Sequence, residues 1–129
     1  MTPNEHMQLV TDAFERWTGG DFRGACELFT PDATWYTQTR YLAAEAYTGR
    51  EAIEDMLREL ATRTELSMDF SRMEAVGDKV LVHVYARTMD DDAPDDDWFQ
   101  LYSFRGGSIA KVEPHDNRDD AAAAAAPPA

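Results

Sequence analysis

The chain has 129 residues, 43% of them hydrophobic, with 25 acidic against 12 basic side chains and a formal net charge of −13. That length and apolar content suffice for one domain around one core, and the charge argues against nucleic acid or an anionic membrane surface as partner. No apolar run approaches the roughly 18 residues needed to cross a bilayer, and the start, MTPNEHMQ, lacks the segments of a secretory signal, so a cytoplasmic location is expected.

Thr2-Pro3-Asn4-Glu5 predicts a helix start, because a Thr N-cap with Glu three residues on forms a capping box and Pro suits the first helical position. Leu9, Val10, Ala13, Phe14 and Trp17 follow at helical spacing, and Gly19-Gly20 ends the run. Asp21 caps a short second helix carrying Phe22, Ala25, Cys26 and Phe29, closed at Pro31-Asp32. Cys26, the one cysteine, has no intrachain partner and reads as core filler. Ala33 to Thr37 has the β-branched and aromatic content of a strand, with Trp35 at its centre. Gln38 to Tyr47 reads as a loop placed to cover a cavity mouth, and Thr48-Gly49-Arg50-Glu51 as a second capping box. The helix after it shows Ile53, Met56, Leu57, Leu60 and Ala61 on one stripe.

From Ser67 the period changes to two. Ser67 to Val76, Lys79 to Met89, Trp98 to Arg105 and Ser108 to Pro114 read as four strands, joined at Gly77-Asp78, at the loop Asp90 to Asp97 and at Gly106-Gly107. In the second of these, Val80, Val82, Val84 and Ala86 alternate with Leu81, His83, Tyr85 and Arg87. The aliphatic set suits a core, and the polar set suits the wall of a ligand cavity. Six carboxylates in the loop 90–97 lack the glycine and terminal Glu of an EF-hand and read as a solvated hairpin loop. Clusters of the Cys/His metal-binding kind are absent from the sequence, and neither a metal nor a cofactor is expected. Helices first and an antiparallel meander afterwards make an α+β fold, with the helices on one face of the sheet. Residues 120–129 end in AAAAAAPPA, too short an alanine run to hold a helix in water, so the domain is expected to span 1–119 and the rest to be a disordered tail.

Several motifs carry a family resemblance: Gly20-Asp21-Phe22 with Leu28 to Thr34 (LFTPDAT), Tyr47 to Ile53 (YTGREAI), and Phe99 to Phe104 with Gly106-Gly107 and Ile109 to Val112. In that order the chain resembles the SnoaL-like and ketosteroid-isomerase-like proteins of the nuclear transport factor two-like superfamily, from about Glu5 to Asp119. The resemblance implies a cone-shaped α+β barrel, three N-terminal helices packed on a curved, mostly antiparallel sheet, usually a homodimer with a deep cavity. Fold alone does not name a reaction. Steroid isomerisation needs a carboxylate base and a Tyr–Asp oxyanion hole, a worked case among known enzymes, and the matching positions hold Thr37, Ala13 beside Phe14, and Gln100. The Arg and Asp of limonene epoxide hydrolases fall at Leu81 and His83. The aspartate that SnoaL-like cyclases use after the last strand corresponds to Asp116.

The register implied by the resemblance turns His83, Tyr85 and Arg87 inward with Trp98, Gln100 and Tyr102, followed by Val112, Pro114 and Asp116, and Trp35 joins them as a ligand-lining residue. Such a wall suits an aromatic or polyketide-like carbonyl compound: Trp98, Tyr102 and Trp35 offer flat surface, Gln100 and Tyr85 hydrogen bonds, and Arg87 a clamp for an oxyanion. Asp116 or His83 would be the base of a cofactor-independent isomerase, lyase or cyclase. The alternative is a non-catalytic ligand-binding or dimerisation module with the same fold. A second copy of the chain is the expected cover for the outer sheet face.

Overall fold

Helix α1 (Pro3–Thr18) begins at the expected capping box, with the Glu5 amide donating to Thr2 Oγ1 at 3.1 Å and the Thr2 amide to Glu5 Oε1 at 3.3 Å. The structure is a computed structural model that describes residues 2–36, 46–61, 66–88 and 96–125, apart from the side chains of 66–71, 86–88 and 96. Helix α2 (Phe22–Cys26) is capped by Asp21, whose Oδ1 accepts from the Gly24 amide at 2.9 Å. Helix α3 (Arg50–Ala61) starts one residue later than the second capping box requires. Thr48 instead ends a short strand, its hydroxyl 3.3 Å from that of Thr34, and the Gly49 carbonyl accepts the first helical bond from Ile53.

Among the described residues six strands form one curved, open sheet: β1 (Phe29–Tyr36), β2 (Ala46–Thr48), β3 (Leu66–Val76), β4 (Lys79–Thr88), β5 (Asp96–Arg105) and β6 (Ser108–His115), in the order β2-β1-β6-β5-β4-β3. All pairings are antiparallel except β1 with β6. The sheet is therefore mixed and not closed into a barrel. Strand β1 starts four residues earlier than expected, at Phe29, because the register with β6 shifts between Phe29 and Thr34 and so admits Pro31, which has no amide hydrogen to give. Gly106 and Gly107 turn β5 into β6 with φ of 58° and 81°, a conformation that side chains with a Cβ rarely adopt. The expected loop or lid at 38–47 falls outside the described residues up to position 45, as does the acidic loop up to position 95.

The helices α1 to α3 cover the concave face, where Val10, Trp17, Phe29, Trp35, Ile53, Leu57, Val80, Val82, Val84, Trp98, Tyr102, Ile109 and Val112 form the main core. A second, smaller core lies on the outer face and corrects the expectation of a disordered tail as far as Ala125, residues 126–129 lying outside the described residues. Residues Arg118–Ala125 form helix α4, with Ala121 and Ala125 packed on Leu81 and Leu101 and with Val76 and Phe99 at the edge. An isolated alanine run of this length does not hold a helix, but this one is docked and capped. The Asp120 amide donates to Asn117 Oδ1 at 2.8 Å, and Arg118 Nε donates to Glu74 Oε1 on β3 at 2.7 Å. At this end of the outer face the chain supplies the cover that a second copy was expected to give. Ala121→Asp is expected to undock α4, removing hydrogen-exchange protection from 118–125 and costing about 1–3 kcal/mol in denaturant titration. Among the described residues no helix is long and apolar enough to cross a membrane.

Candidate functional site

The inward set is fixed by the pairing of β4, β5 and β6. Val80 stands opposite Tyr102, Val82 opposite Gln100 and Val84 opposite Trp98, while Tyr102 also pairs with Val112 and Gln100 with Pro114. Val112 in turn pairs with Trp35 on β1. Val80, Val82 and Val84 are fully buried under the helices, so every residue in register with them shares the concave face. Trp35, Trp98, Gln100 and Tyr102 are thus brought together as expected.

The expectation for β4 is corrected by one residue. Its aliphatic side lies beneath the helices, so His83 and Tyr85 sit on the outer face, and Arg87 shares their parity. The most apolar residues of the strand occupy the face that the helices cover. The Arg87 side chain lies outside the described residues. His83 Nε2 is 2.8 Å from Asp97 Oδ2, and its ring stacks on Phe99 at 4.3 Å and lies 4.2 Å from Tyr85. Asp116 is exposed just beyond β6, without the partial desolvation expected of a base.

Within the concave face the aromatic rings meet edge to face. Tyr102 lies 6.2 Å from Trp35 and 5.9 Å from Phe14, and Trp17 lies 6.4 Å from Trp35, all close to perpendicular. The Tyr102 hydroxyl donates to Gln100 Oε1 at 2.7 Å. Burial holds the Tyr102 phenol well above its usual range, so it stays protonated and remains a donor. Along β5 the order Tyr102, Gln100, Trp98 runs toward the end where β5 begins, with Gln100 6% exposed and Trp98 4%. An amide with one oxygen already engaged and an indole beside it form a hydrogen-bonding surface with a flat apolar neighbour.

Two clefts lined by described residues lie elsewhere, and neither was legible in the sequence because each joins elements distant along the chain. One, of about 510 Å³, separates α2 from α3 and is lined by Cys26 with Arg23, Arg50, Arg58 and three glutamates. Its cations are largely engaged: Arg50 donates through Nε and Nη2 to the Phe29 carbonyl, and Arg58 pairs with Glu54 at 3.3 Å. Burial, with Glu54 nearby, pushes the Cys26 thiol up to about 11 from an ordinary 9.0. Below pH 9 the thiol is protonated in both folded and unfolded chains. Above it only the unfolded chain ionises, so the stability tied to this group falls as pH rises through the interval from about 9 to about 11. Thiol-specific reagents are accordingly expected to label Cys26 at pH 8 only after unfolding, and Cys26→Ala to flatten the loss of stability above pH 9. The other cleft, of about 300 Å³, lies on the outer face against the start of α4. Among the described residues no group of three or more His, Cys, Asp or Glu is placed to hold a metal ion.

The SnoaL-like domain family matches residues 10–112. No curated protein sequence matches the chain. Among solved structures it is similar to Bal32a from a soil-derived mobile gene cassette (20% identity, 88% of this chain and 89% of that one, TM-score 0.75). It is also similar to an NTF2-like protein from Burkholderia xenovorans LB400 (21% identity, 98% and 99%, TM-score 0.73) and to TerC co-crystallized with polyporic acid (16% identity, 88% and 92%, TM-score 0.70). At these identities the likeness establishes the fold. Helices laid over the concave face of an open curved sheet, and a family match over most of the length, together place the chain in the SnoaL-like domain family.

Proposed function

We propose that this protein binds a flat aromatic or polyketide-like carbonyl compound on the concave face of its sheet, with Trp98 and Gln100 as the principal contacts. One observation carries the reading. Gln100 is a side-chain amide, 6% exposed, set between Trp98 and Tyr102 on the concave face, and its oxygen accepts from the Tyr102 hydroxyl, which fixes how the amide is turned. An amide oriented through its oxygen keeps its Nε2 hydrogens as donors to offer, and a ligand carbonyl beside the Trp98 indole is an acceptor that suits them. Family membership supports the reading, and TerC, which shares the fold, was crystallised with polyporic acid.

Proton abstraction of the cyclase or isomerase type is the second reading, supported by the same family. It needs a base beside the bound ligand, whereas His83 faces the other side of the sheet and Asp116 is in solvent. Binding is therefore placed ahead of turnover. Native mass spectrometry of the chain with neutral aromatic ketones such as chromone and 1-tetralone tests this. Retention of a ketone by the wild-type chain, and its loss in Trp98→Ala, is the expected result. An empty chain across the panel, or equal retention by the variant, would overturn the proposal.

A further inference from the structure

The outer-face cleft lies between β3, β4, β5 and the start of α4, on the side of the sheet opposite the concave face. Its walls include Leu81, Phe99 and His83, and the His83 ring lies parallel to that of Phe99 at 4.3 Å. Arg72 and Arg118 stand at its rim with Glu74. Arg118 uses Nε on Glu74, which leaves four of its five guanidinium hydrogens. Arg72 contacts the face of the Tyr85 ring at 5.9 Å and makes no ion pair among the described residues. Arg72 thus stands beside an apolar wall with no carboxylate paired to it among the described residues. Of the acidic groups around the cleft, Glu74 is paired with Arg118, Asp97 with His83, and Asp119 lies near enough to Arg118 to act on its charge.

We infer that this cleft is a second ligand site, taking a small planar aromatic carboxylate. An aromatic and aliphatic wall accepts one face of the ring, and planar guanidinium donors match a carboxylate in a way that a lone ammonium would not. A volume of about 300 Å³, at the lower limit for small-molecule sites, suits one or two fused rings. The site is independent of the concave face: it uses different residues, and it selects for charge where Gln100 selects for a neutral carbonyl.

The test is calorimetric titration of the full chain with 2-naphthoate and with its uncharged isostere 2-naphthamide. Naphthoate is expected to bind at least about tenfold more tightly than the amide, and Arg72→Gln and Arg118→Gln each to weaken it about tenfold. Arg72→Lys, which keeps the charge and loses the fork, is expected to fall between. Because Arg118→Gln also removes the link to Glu74, hydrogen exchange over 118–125 checks that α4 stays docked in that variant. Equal affinity for acid and amide, or no effect of either glutamine substitution, would overturn the inference. So would sedimentation showing that a second copy covers the cleft and excludes naphthoate. Loss of naphthoate binding in Gln100→Leu but not in the arginine variants would place the ligand on the concave face instead.

Discussion

Trp35→Ala is expected to destabilise the protein by about 3–5 kcal/mol, a large share of the roughly 5–15 kcal/mol that holds a domain folded. Trp35 is 5% exposed and forms the junction of the core. It meets Trp17 and Tyr102 edge to face, meets Phe29 at 6.1 Å, and is paired with Val112 across the parallel β1–β6 ladder. Removing the indole opens a cavity among rings that three different elements hold in place, so the site has little freedom to collapse. Tyr36, the next residue, points the other way and is 44% exposed, and Tyr36→Ala is expected to change stability by no more than about 0.5 kcal/mol. Urea denaturation of the two variants measures the contrast. Similar losses in both would mean that the register of β1 is not the one described.

The second large effect concerns the hydrogen bond between Tyr102 and Gln100. Gln100→Leu leaves the Tyr102 hydroxyl without an acceptor at a position 1% exposed, a loss of about 1–3 kcal/mol. Tyr102→Phe strands the Gln100 carbonyl oxygen in the same way. The double variant replaces both partners with apolar groups and is expected to be more stable than the sum of the single losses implies, by a coupling of about 1–2 kcal/mol. In ligand titrations the two substitutions separate. Gln100→Leu removes the amide donor and is expected to weaken a ketone ligand about tenfold, the value of one neutral hydrogen bond. Tyr102→Phe leaves that donor in place and is expected to change affinity less. Additive stability losses would show that the two side chains do not interact.

Features written in short stretches of chain were legible without coordinates. The Thr2–Glu5 capping box, the Asp21 cap and the glycine turn at 106–107 each depend on residues within a few positions of one another. The alternation on β4 was equally plain, but its direction was not. Which side of an amphipathic strand faces the helices is decided by its neighbours, and Val82 opposite Gln100 sends His83 outward. Helix α4 is not legible for a related reason: nothing in an alanine run predicts a helix of this length, and its stability comes from Leu81 and Leu101, some 20 to 40 residues earlier in the chain. Trp98, Gln100 and Tyr102 share one face by their own alternation on β5, which agrees with the pairing on both sides. The role that the family resemblance implies for Asp116 has no burial of that residue to support it.

At 14.5 kDa the chain is suited to amide-resolved nuclear magnetic resonance, and titrating it with chromone while following the indole signal of Trp98 and the side-chain amide of Gln100 tests the central claim most directly. The expected result is a saturable shift of both signals, with the Tyr102 region moving and His83 and Phe99 on the outer face unmoved. Shifts confined to the outer face, or none at all across the panel of ketones, would contradict ligand binding on the concave face.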